Sequence, residues 1–344
     1  MSNSICDLGL GHVNIYPPVN GYTTPLARKY QSRYGLDSLR ELIAGYEQVN
    51  KDEVTVTSGA SMGLICSFAS LKKTTSILCP RPYYPTYPFM INSFGLQPLF
   101  YDLKESNGWV HDLNNISDLC QDNTSAILIN YPHNPTGAIP SENEMHRLID
   151  FAHQKKLIII SDEVYTEFAS DNLYIKSILA NSNNCIRIKS FSKSGGIPGE
   201  RLGYILSDVG KIDQLAKIHW NFAMSSSANA QNLAISFLHQ DPSSKIKTLS
   251  NQVKENLEHA ISVLKENPHF KIQQPKGGVF LWIGCKKTKI KSSEIAKIIK
   301  DDLGIIVHPG TAFGVDDHPF FRISVGTQQD VLHEALERLV AWKL

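Results

Sequence analysis

A lysine stands among serines and glycines at Ser190-Phe191-Ser192-Lys193-Ser194-Gly195-Gly196, with Arg201 eight residues further on. It follows the strand-like run 185–188, read as one of the buried strands of a parallel sheet. Lysines placed this way lose their proton readily and form Schiff bases with carbonyl compounds. Three other segments share the setting. Asp162 follows the run 157–161, and a carboxylate at a buried strand end is costly unless it meets a cation or a strong donor. Ser58-Gly59-Ala60-Ser61-Met62-Gly63 lies between a strand-like run and a helical pattern, where small residues expose backbone N–H groups to a phosphate. In Tyr131-Pro132-His133-Asn134-Pro135-Thr136-Gly137 the two prolines exclude helix and hold Asn134 in a stiff turn, a candidate for a cis Asn–Pro bond. Taken singly, each also reads as ordinary structure: a loop lysine, an N-cap or salt-bridged aspartate, a βα turn, a proline turn.

The elements that must position these residues are short β-rich runs at 53–57, 76–79, 98–102, 126–130, 157–161, 185–188 and 202–206. Helical patterns at 61–71, 141–155 and 213–218 alternate with them, which implies βαβ units and a mostly parallel sheet. On such sheets ligands bind at the carboxyl ends of the strands, where the four segments fall. From about residue 230 the rhythm changes. A long helical stretch, 228–266, leads into strands predicted at 278–283, 304–307 and 321–325. A last helix is expected to open at Thr327, with Asp330 as a variant capping box and Val331, Leu332, Ala335, Leu336, Leu339 and Val340 as its apolar stripe. The fold class is thus α/β. We expect a large domain over 25–235 with a seven-stranded, mostly parallel sheet, and a smaller α+β domain formed by 1–24 and 236–344.

Composition narrows the function classes. The 344 residues are 42% hydrophobic and 19% charged, enough for a large core and unlike a disordered chain. Lys and Arg number 34 against 33 Asp and Glu, so the net charge of +1 points to neither nucleic acid nor an anionic membrane. Six scattered cysteines with no CxxC pair read as thiols of a reducing compartment, not as a disulfide framework or zinc site. Residues 1–10 lack a basic segment followed by a long apolar one, and no apolar run is long enough for a membrane span. The expected location is cytoplasmic.

Taken together, the segments HNPTG at 133–137, SDEVY at 161–165 and SFSK…GERLGY at 190–204 resemble the fold-type I pyridoxal-phosphate enzymes. Within these, the chain is similar to the class I/II aminotransferases, aspartate-aminotransferase-like, from about Leu8 to the C-terminus. The resemblance implies pyridoxal 5'-phosphate as cofactor and a role for each matching residue. Lys193 would form the Schiff base and carry the proton between substrate Cα and cofactor. Asp162 would pair with the pyridinium nitrogen and keep it protonated. Asn134 and Tyr165 would bond the phenolate oxygen, and Tyr84 would stack on the ring. Ser190, Arg201 and the backbone of Gly59, Ala60 and Ser61 would hold the phosphate. Arg322, in Phe320-Phe321-Arg322-Ile323-Ser324, would grip the substrate α-carboxylate in a bidentate contact, and Gly11 would lie beside the substrate. Tyr30, in Tyr30-Gln31-Ser32-Arg33-Tyr34-Gly35, would reach the neighbouring subunit's phosphate, which implies a homodimer with shared active sites. An amino acid and a 2-oxo acid are the implied small-molecule partners.

Between Arg201 and Arg322 there is no arginine, whereas relatives selective for aspartate often draw one from that region for the distal carboxylate. An acidic side chain is therefore not favoured, although a lysine or an arginine from elsewhere, such as Arg33, could substitute. His12 and Tyr16 follow Gly11 and are candidate substrate-pocket residues, equally readable as packing. The ending FRISVGT also resembles histidinol-phosphate aminotransferases, while GGVFLW at 277–282 and PGTAFG at 309–314 look more like general amino-acid aminotransferases. A lyase, decarboxylase or cyclising enzyme on the same fold would keep every one of these motifs. A remoter rival is a serine hydrolase, since Gly59-Ala60-Ser61-Met62-Gly63 fits G-x-S-x-G, with Asp162 and His318 as triad partners. Too few strands precede Ser61 for that fold, and no HGGG-like segment is present. Gly9-Leu10-Gly11 lacks both the preceding strand and the third glycine of a dinucleotide site. A regulator built on an aminotransferase-like domain would need a DNA-binding module for which no room is left before Leu8.

Overall fold

A computed structural model of the chain describes residues 30–169, 184–286, 288–315 and 319–343. All seven strand-like runs of the first part of the chain are strands of one sheet: β1 (Val54–Thr57), β2 (Ser76–Arg81), β3 (Gln97–Asp102), β4 (Thr124–Asn130), β5 (Ile158–Asp162), β6 (Cys185–Ser190) and β7 (Gly203–Leu206). Their order across the sheet is β1-β7-β6-β5-β4-β2-β3. Only β7 runs against the rest, pairing antiparallel with both β1 and β6. Apolar residues occupy consecutive positions because helices cover both faces. In β4, Ile127 and Ile129 pack with Leu148 and Ala152 of α5 (Glu142–Gln154) on one side. On the other, Ala126 and Leu128 pack with Leu64 and Phe68 of α2 (Ala60–Ala69), Ile91 of α3 (Tyr87–Ser93) and Leu215 of α6 (Val209–Ala223). A further helix, α1 (Asp37–Glu47), buries Leu39 and Ile43 against Val54, Val56 and Leu206. On the other face α4 (Leu113–Leu119) buries Ile116. A capping box opens α5: Ser141 Oγ accepts from the Glu144 N–H, and Glu144 Oε2 accepts from the Ser141 N–H at 2.6 Å.

A second, antiparallel sheet carries β8 (Phe270–Ile272), β9 (Phe280–Cys285), β10 (His308–Pro309) and β11 (Phe320–Ser324) in the order β10-β11-β9-β8. Its core is shared with α8 (Pro242–Leu264), α9 (Ser292–Leu303) and α10 (Gln329–Ala341). Here three expectations need correction. The helical stretch 228–266 is two helices, α7 (Ala228–His239) and α8, because Asp241 turns left-handed at φ 50° and caps α8 through the Ser244 N–H. Pro242 then fills the first turn, where its missing N–H costs nothing. The strand predicted at 304–307 is absent: Gly304, at φ 67°, ends α9, and pairing begins only at His308. The last helix starts after Gln328, not at Thr327, whose carbonyl accepts from Asn256 Nδ2 together with that of Val325. On α10 the buried stripe is Leu332, Leu336 and Leu339, while Val331 faces solvent. None of the described helices is long and apolar enough to cross a membrane.

Behind the carboxyl end of β5 lies a buried ionic cluster. Arg187 of β6 donates from Nε and Nη2 to the two carboxylate oxygens of Glu163, at 2.8 and 2.9 Å, and lies 3.5 Å from Glu47 of α1. Lys189 donates to Glu167 at 2.9 Å and to the Thr166 hydroxyl, while Tyr204 donates to Glu47. Burial disfavours the charge on Arg187 and Lys189, yet the surrounding carboxylates raise both pKa values. Such a cluster tolerates the loss of a member badly, because its partners stay buried and uncompensated. Arg187→Met is therefore expected to lower stability by about 3–5 kcal/mol. An unfolding free energy from urea titration lowered by less than about 1 kcal/mol would show that the cluster rearranges freely.

Candidate active site

Because β1, β2, β4, β5 and β6 run the same way, their carboxyl ends meet along one edge of the sheet, and the antiparallel β7 begins there. A cavity of about 410 Å³ opens at that edge, and Tyr84, Asn134, Asp162, Tyr165, Lys193, Arg201 and Arg322 all line it.

One end of the cavity suits a phosphate. Gly59 caps α2 with φ 84° and ψ 165°, a conformation essentially reserved for glycine. A Cβ on it would stand 2.7 Å from Arg201 Nη2, so the missing side chain is what lets the guanidinium approach the helix N-terminus. At Gly203 a Cβ would stand 2.6 Å from the Lys189 carbonyl oxygen and 2.9 Å from the Ala60 nitrogen, so this glycine lets β7 pass close beneath the start of α2. Arg201 itself holds φ 53°, a strained backbone for a residue with a side chain, and donates to the Pro198 carbonyl. The amides of Ala60 and Ser61 open α2 and have no carbonyl of their own helix to bond. Ser190 completes the group, its Oγ accepting from the Ser192 N–H at 3.0 Å.

In the middle of the cavity Asp162 is buried, with its Oδ2 accepting from the Tyr87 hydroxyl at 2.6 Å. Burial pushes its pKa up to about 6, against the pull of the Tyr87 bond and the Val164 N–H; the neighbouring Glu163 charge adds to the rise. A buried carboxylate held this way is suited to a cationic N–H. Next to it, Asn130 Nδ2 donates to the Asp162 carbonyl and Asn130 Oδ1 accepts from the Asn134 N–H, tying the proline turn to the end of β5. The Tyr131–Pro132 and Asn134–Pro135 bonds are both cis. Burial holds the His133 pKa down to about 3, so its imidazole is neutral between Thr136 Oγ1 and the Pro82 carbonyl.

The reactive groups face each other across the remaining space. Lys193 Nζ lies 5.8 Å from the centre of the Tyr165 ring. Its pKa is lowered by burial first, then by Arg322 and Arg201, which favours the free amine. Arg322 Nη1 donates to Asn134 Oδ1 at 2.7 Å, while its guanidinium stacks over Phe280 at 3.9 Å. Its Nε is buried without a hydrogen-bond partner among the described residues, a donor left for an anion. Tyr84 faces the cavity with its ring edge-on to Tyr87, the centroids 5.4 Å apart. Phosphate seat, buried carboxylate, deprotonation-prone amine and unfilled guanidinium donor together fit a phosphorylated pyridine aldehyde carrying an amino acid.

The geometry brings together Gly59, Ala60, Ser61, Tyr84, Asn134, Asp162, Tyr165, Ser190, Lys193, Arg201 and Arg322. Tyr30 stands apart, half exposed and edge-on to Trp220 with centroids 6.4 Å apart. Gly11, His12, Tyr16 and His318 lie outside the described residues. No described histidine bonds the Ser61 hydroxyl, and Ser61 sits in the first turn of α2 beside the phosphate seat. The sequence reading missed Tyr87, the first residue of α3 and three residues after Tyr84, and the cavity-lining Val164 and Phe280.

The family model Aminotransferase class I and II matches residues 23–339. The chain is 28% identical to the aspartate aminotransferase of Pyrococcus horikoshii, over 90% of this chain and 82% of that one. It is 27% identical to the LL-diaminopimelate aminotransferase of Aquifex aeolicus, with 99% and 92% covered. The crystal structure of an aromatic aminotransferase from Pyrococcus horikoshii superposes with a TM-score of 0.85 at 26% identity, covering 91% of this chain and 87% of that one. The chain therefore belongs to the class I and II aminotransferases, fold-type I enzymes that transfer amino groups with pyridoxal phosphate.

Proposed function

We propose that the protein moves the amino group of an L-amino acid with a neutral side chain to a 2-oxo acid. The observation that carries this reading is the joint presence of Lys193, Asp162 and the open Nε of Arg322 around one cavity. When bound, pyridoxal phosphate supplies an aldehyde conjugated to an electron-accepting ring. The protein's own work is positional. Gly59, Ala60, Ser61, Ser190 and Arg201 would seat the phosphate, and Asp162 would keep the ring nitrogen protonated. Asn134 and Tyr165 would bond the ring oxygen, Tyr84 would cover the ring face, and Arg322 would bind the substrate carboxylate. Lys193 would be the amine that holds the cofactor's aldehyde end and the base that takes and returns the proton at substrate Cα.

The neutral side chain is argued from the lining. Among the described residues around the cavity the cations are Lys193, Arg201 and Arg322, each already assigned, while Leu64, Val164 and Phe280 supply apolar surface. Relatives named for aspartate, aromatic and diaminopimelate substrates show that family membership does not fix the side chain. Tyr30, outside the cavity of its own protomer, is read as serving the phosphate of a second copy in a homodimer.

A single-turnover assay with a panel of amino acids and no 2-oxo acid acceptor tests the reading. One 2-oxo acid released per cofactor, fastest with apolar or aromatic amino acids, is the expected result. Ammonia or CO₂ in its place would move the chain to elimination or decarboxylation, and preference for aspartate would overturn the substrate assignment.

A further inference from the structure

The turn before the phosphate seat is held by a histidine that no motif pointed to. Ser58 joins β1 to Gly59, and its backbone N–H donates to His219 Nε2 at 3.2 Å. The Ser58 hydroxyl lies 3.3 Å from the same nitrogen and 3.5 Å from Ser226 Oγ. A ring nitrogen that accepts from a backbone N–H carries no proton, so His219 is the Nδ1–H tautomer. It comes from α6 and is only 1% exposed. Burial lowers its pKa to about 4 and keeps it neutral at working pH. Its Nδ1 is buried with no hydrogen-bond partner among the described residues. An orphaned donor is a standing cost that an apolar residue at 219 would avoid. What the imidazole returns for that cost is the acceptor at Nε2. With Ser58 N–H on His219 and Gly59 N–H on the Thr57 carbonyl at 2.8 Å, the two amides before α2 are both tied back. The next two, of Ala60 and Ser61, belong to the first turn of α2, which lines the cavity, and have no carbonyl of their own helix to bond.

We infer that His219 is a positioning residue for the cofactor phosphate, acting through the Ser58 backbone and touching neither cofactor nor substrate. The inference rests on the reading of Gly59–Ser61 and Arg201 as the phosphate seat. A residue that only filled space would affect pyridoxal phosphate and phosphate-free pyridoxal alike, so the ratio of their affinities is the readout.

Dissociation constants of both compounds are measured by absorbance titration on the full chain stripped of cofactor. The variants are His219→Leu, which fills the space without an acceptor, and His219→Gln, whose Oε1 can take the Ser58 N–H. For His219→Leu the phosphate compound is expected to weaken roughly tenfold or more, the scale of one lost hydrogen bond, with pyridoxal within about twofold. His219→Gln should keep the wild-type ratio, and the ³¹P resonance of the bound phosphate should move in the Leu variant alone. Equal weakening of both compounds, or no weakening of either, overturns the proposal. If the Leu variant does not fold, His219→Asn, too short to reach Ser58, decides: a lowered ratio supports the role and an unchanged ratio refutes it. Wild-type protein that binds pyridoxal as tightly as its phosphate ester would instead overturn the phosphate seat itself, a result separable from any effect at His219.

Discussion

Lys193→Ala is expected to lose at least about 10³-fold in turnover, together with the visible absorbance of a lysine-linked cofactor. Among the described residues of the cavity Lys193 is the one amine. Partial burial and the charges of Arg322 and Arg201 all lower its pKa. No other described lining residue combines that basicity with reach: Tyr165 has its pKa raised by burial and by Asp162, and Asp162 is engaged with Tyr87. The variant should still seat the phosphate, because Gly59, Ser190 and Arg201 are untouched. Absorbance and steady-state rates on the purified variant check this. Retained activity would falsify the Schiff-base assignment.

Asp162→Asn should act on stability and activity in opposite directions. With its folded pKa raised from 3.8 to about 6, Asp162 binds its proton more tightly in the native, cofactor-free protein than in the unfolded chain. The stability it contributes is therefore fully present below pH 3.8 and is lost as pH rises through about 6. At neutral pH the ionised carboxylate is a liability of about 3 kcal/mol in the cofactor-free protein, at about 1.4 kcal/mol per pKa unit. Asparagine carries no such charge. Cofactor-free Asp162→Asn should thus unfold at higher urea than wild type at pH 7.5, the advantage shrinking toward pH 4.5. Turnover should fall about 10²–10³-fold, since no anion remains to hold a proton on the ring nitrogen. Urea titrations at the two pH values and a rate assay decide it: an equal stability difference at both pH values would refute the sign, and an unchanged rate would refute the role.

The large sheet could be read in advance because runs such as Ala126–Leu128 and Ile159–Ile160 are apolar on consecutive positions, and helices on both faces make them so. Four of the site segments were legible for a related reason, since those of Gly59–Ser61, Asn134, Asp162 and Lys193 each follow a strand-like run, whereas Tyr84, Tyr165, Arg201 and Arg322 were assigned from the family resemblance. What the sequence concealed was made by distant partners. β6 was read over 185–188, short of Lys189 and Ser190, and nothing in the sequence marks Arg187 and Lys189 as buried; their carboxylates come from α1 and the segment after β5, so the charges lie inside the strand. Tyr87 reads as one more aromatic of a proline-rich turn until β2 and β5 bring it to Asp162. His219 sits in an amphipathic helix where a lone histidine carries no signal. Proline and left-handed residues broke what period alone joined, as Asp241 and Pro242 do between α7 and α8.

The cavity is stitched from pieces far apart along the chain: the bond between Asn134 and Arg322 spans 188 residues, and that between Tyr87 and Asp162 spans 75. Closing such long loops is slow and comes late, after the local helices have formed. The phosphate and ring-nitrogen ends of the cavity are built on the first sheet alone, whereas its guanidinium end exists only where β11 of the second sheet brings Arg322 onto Asn134.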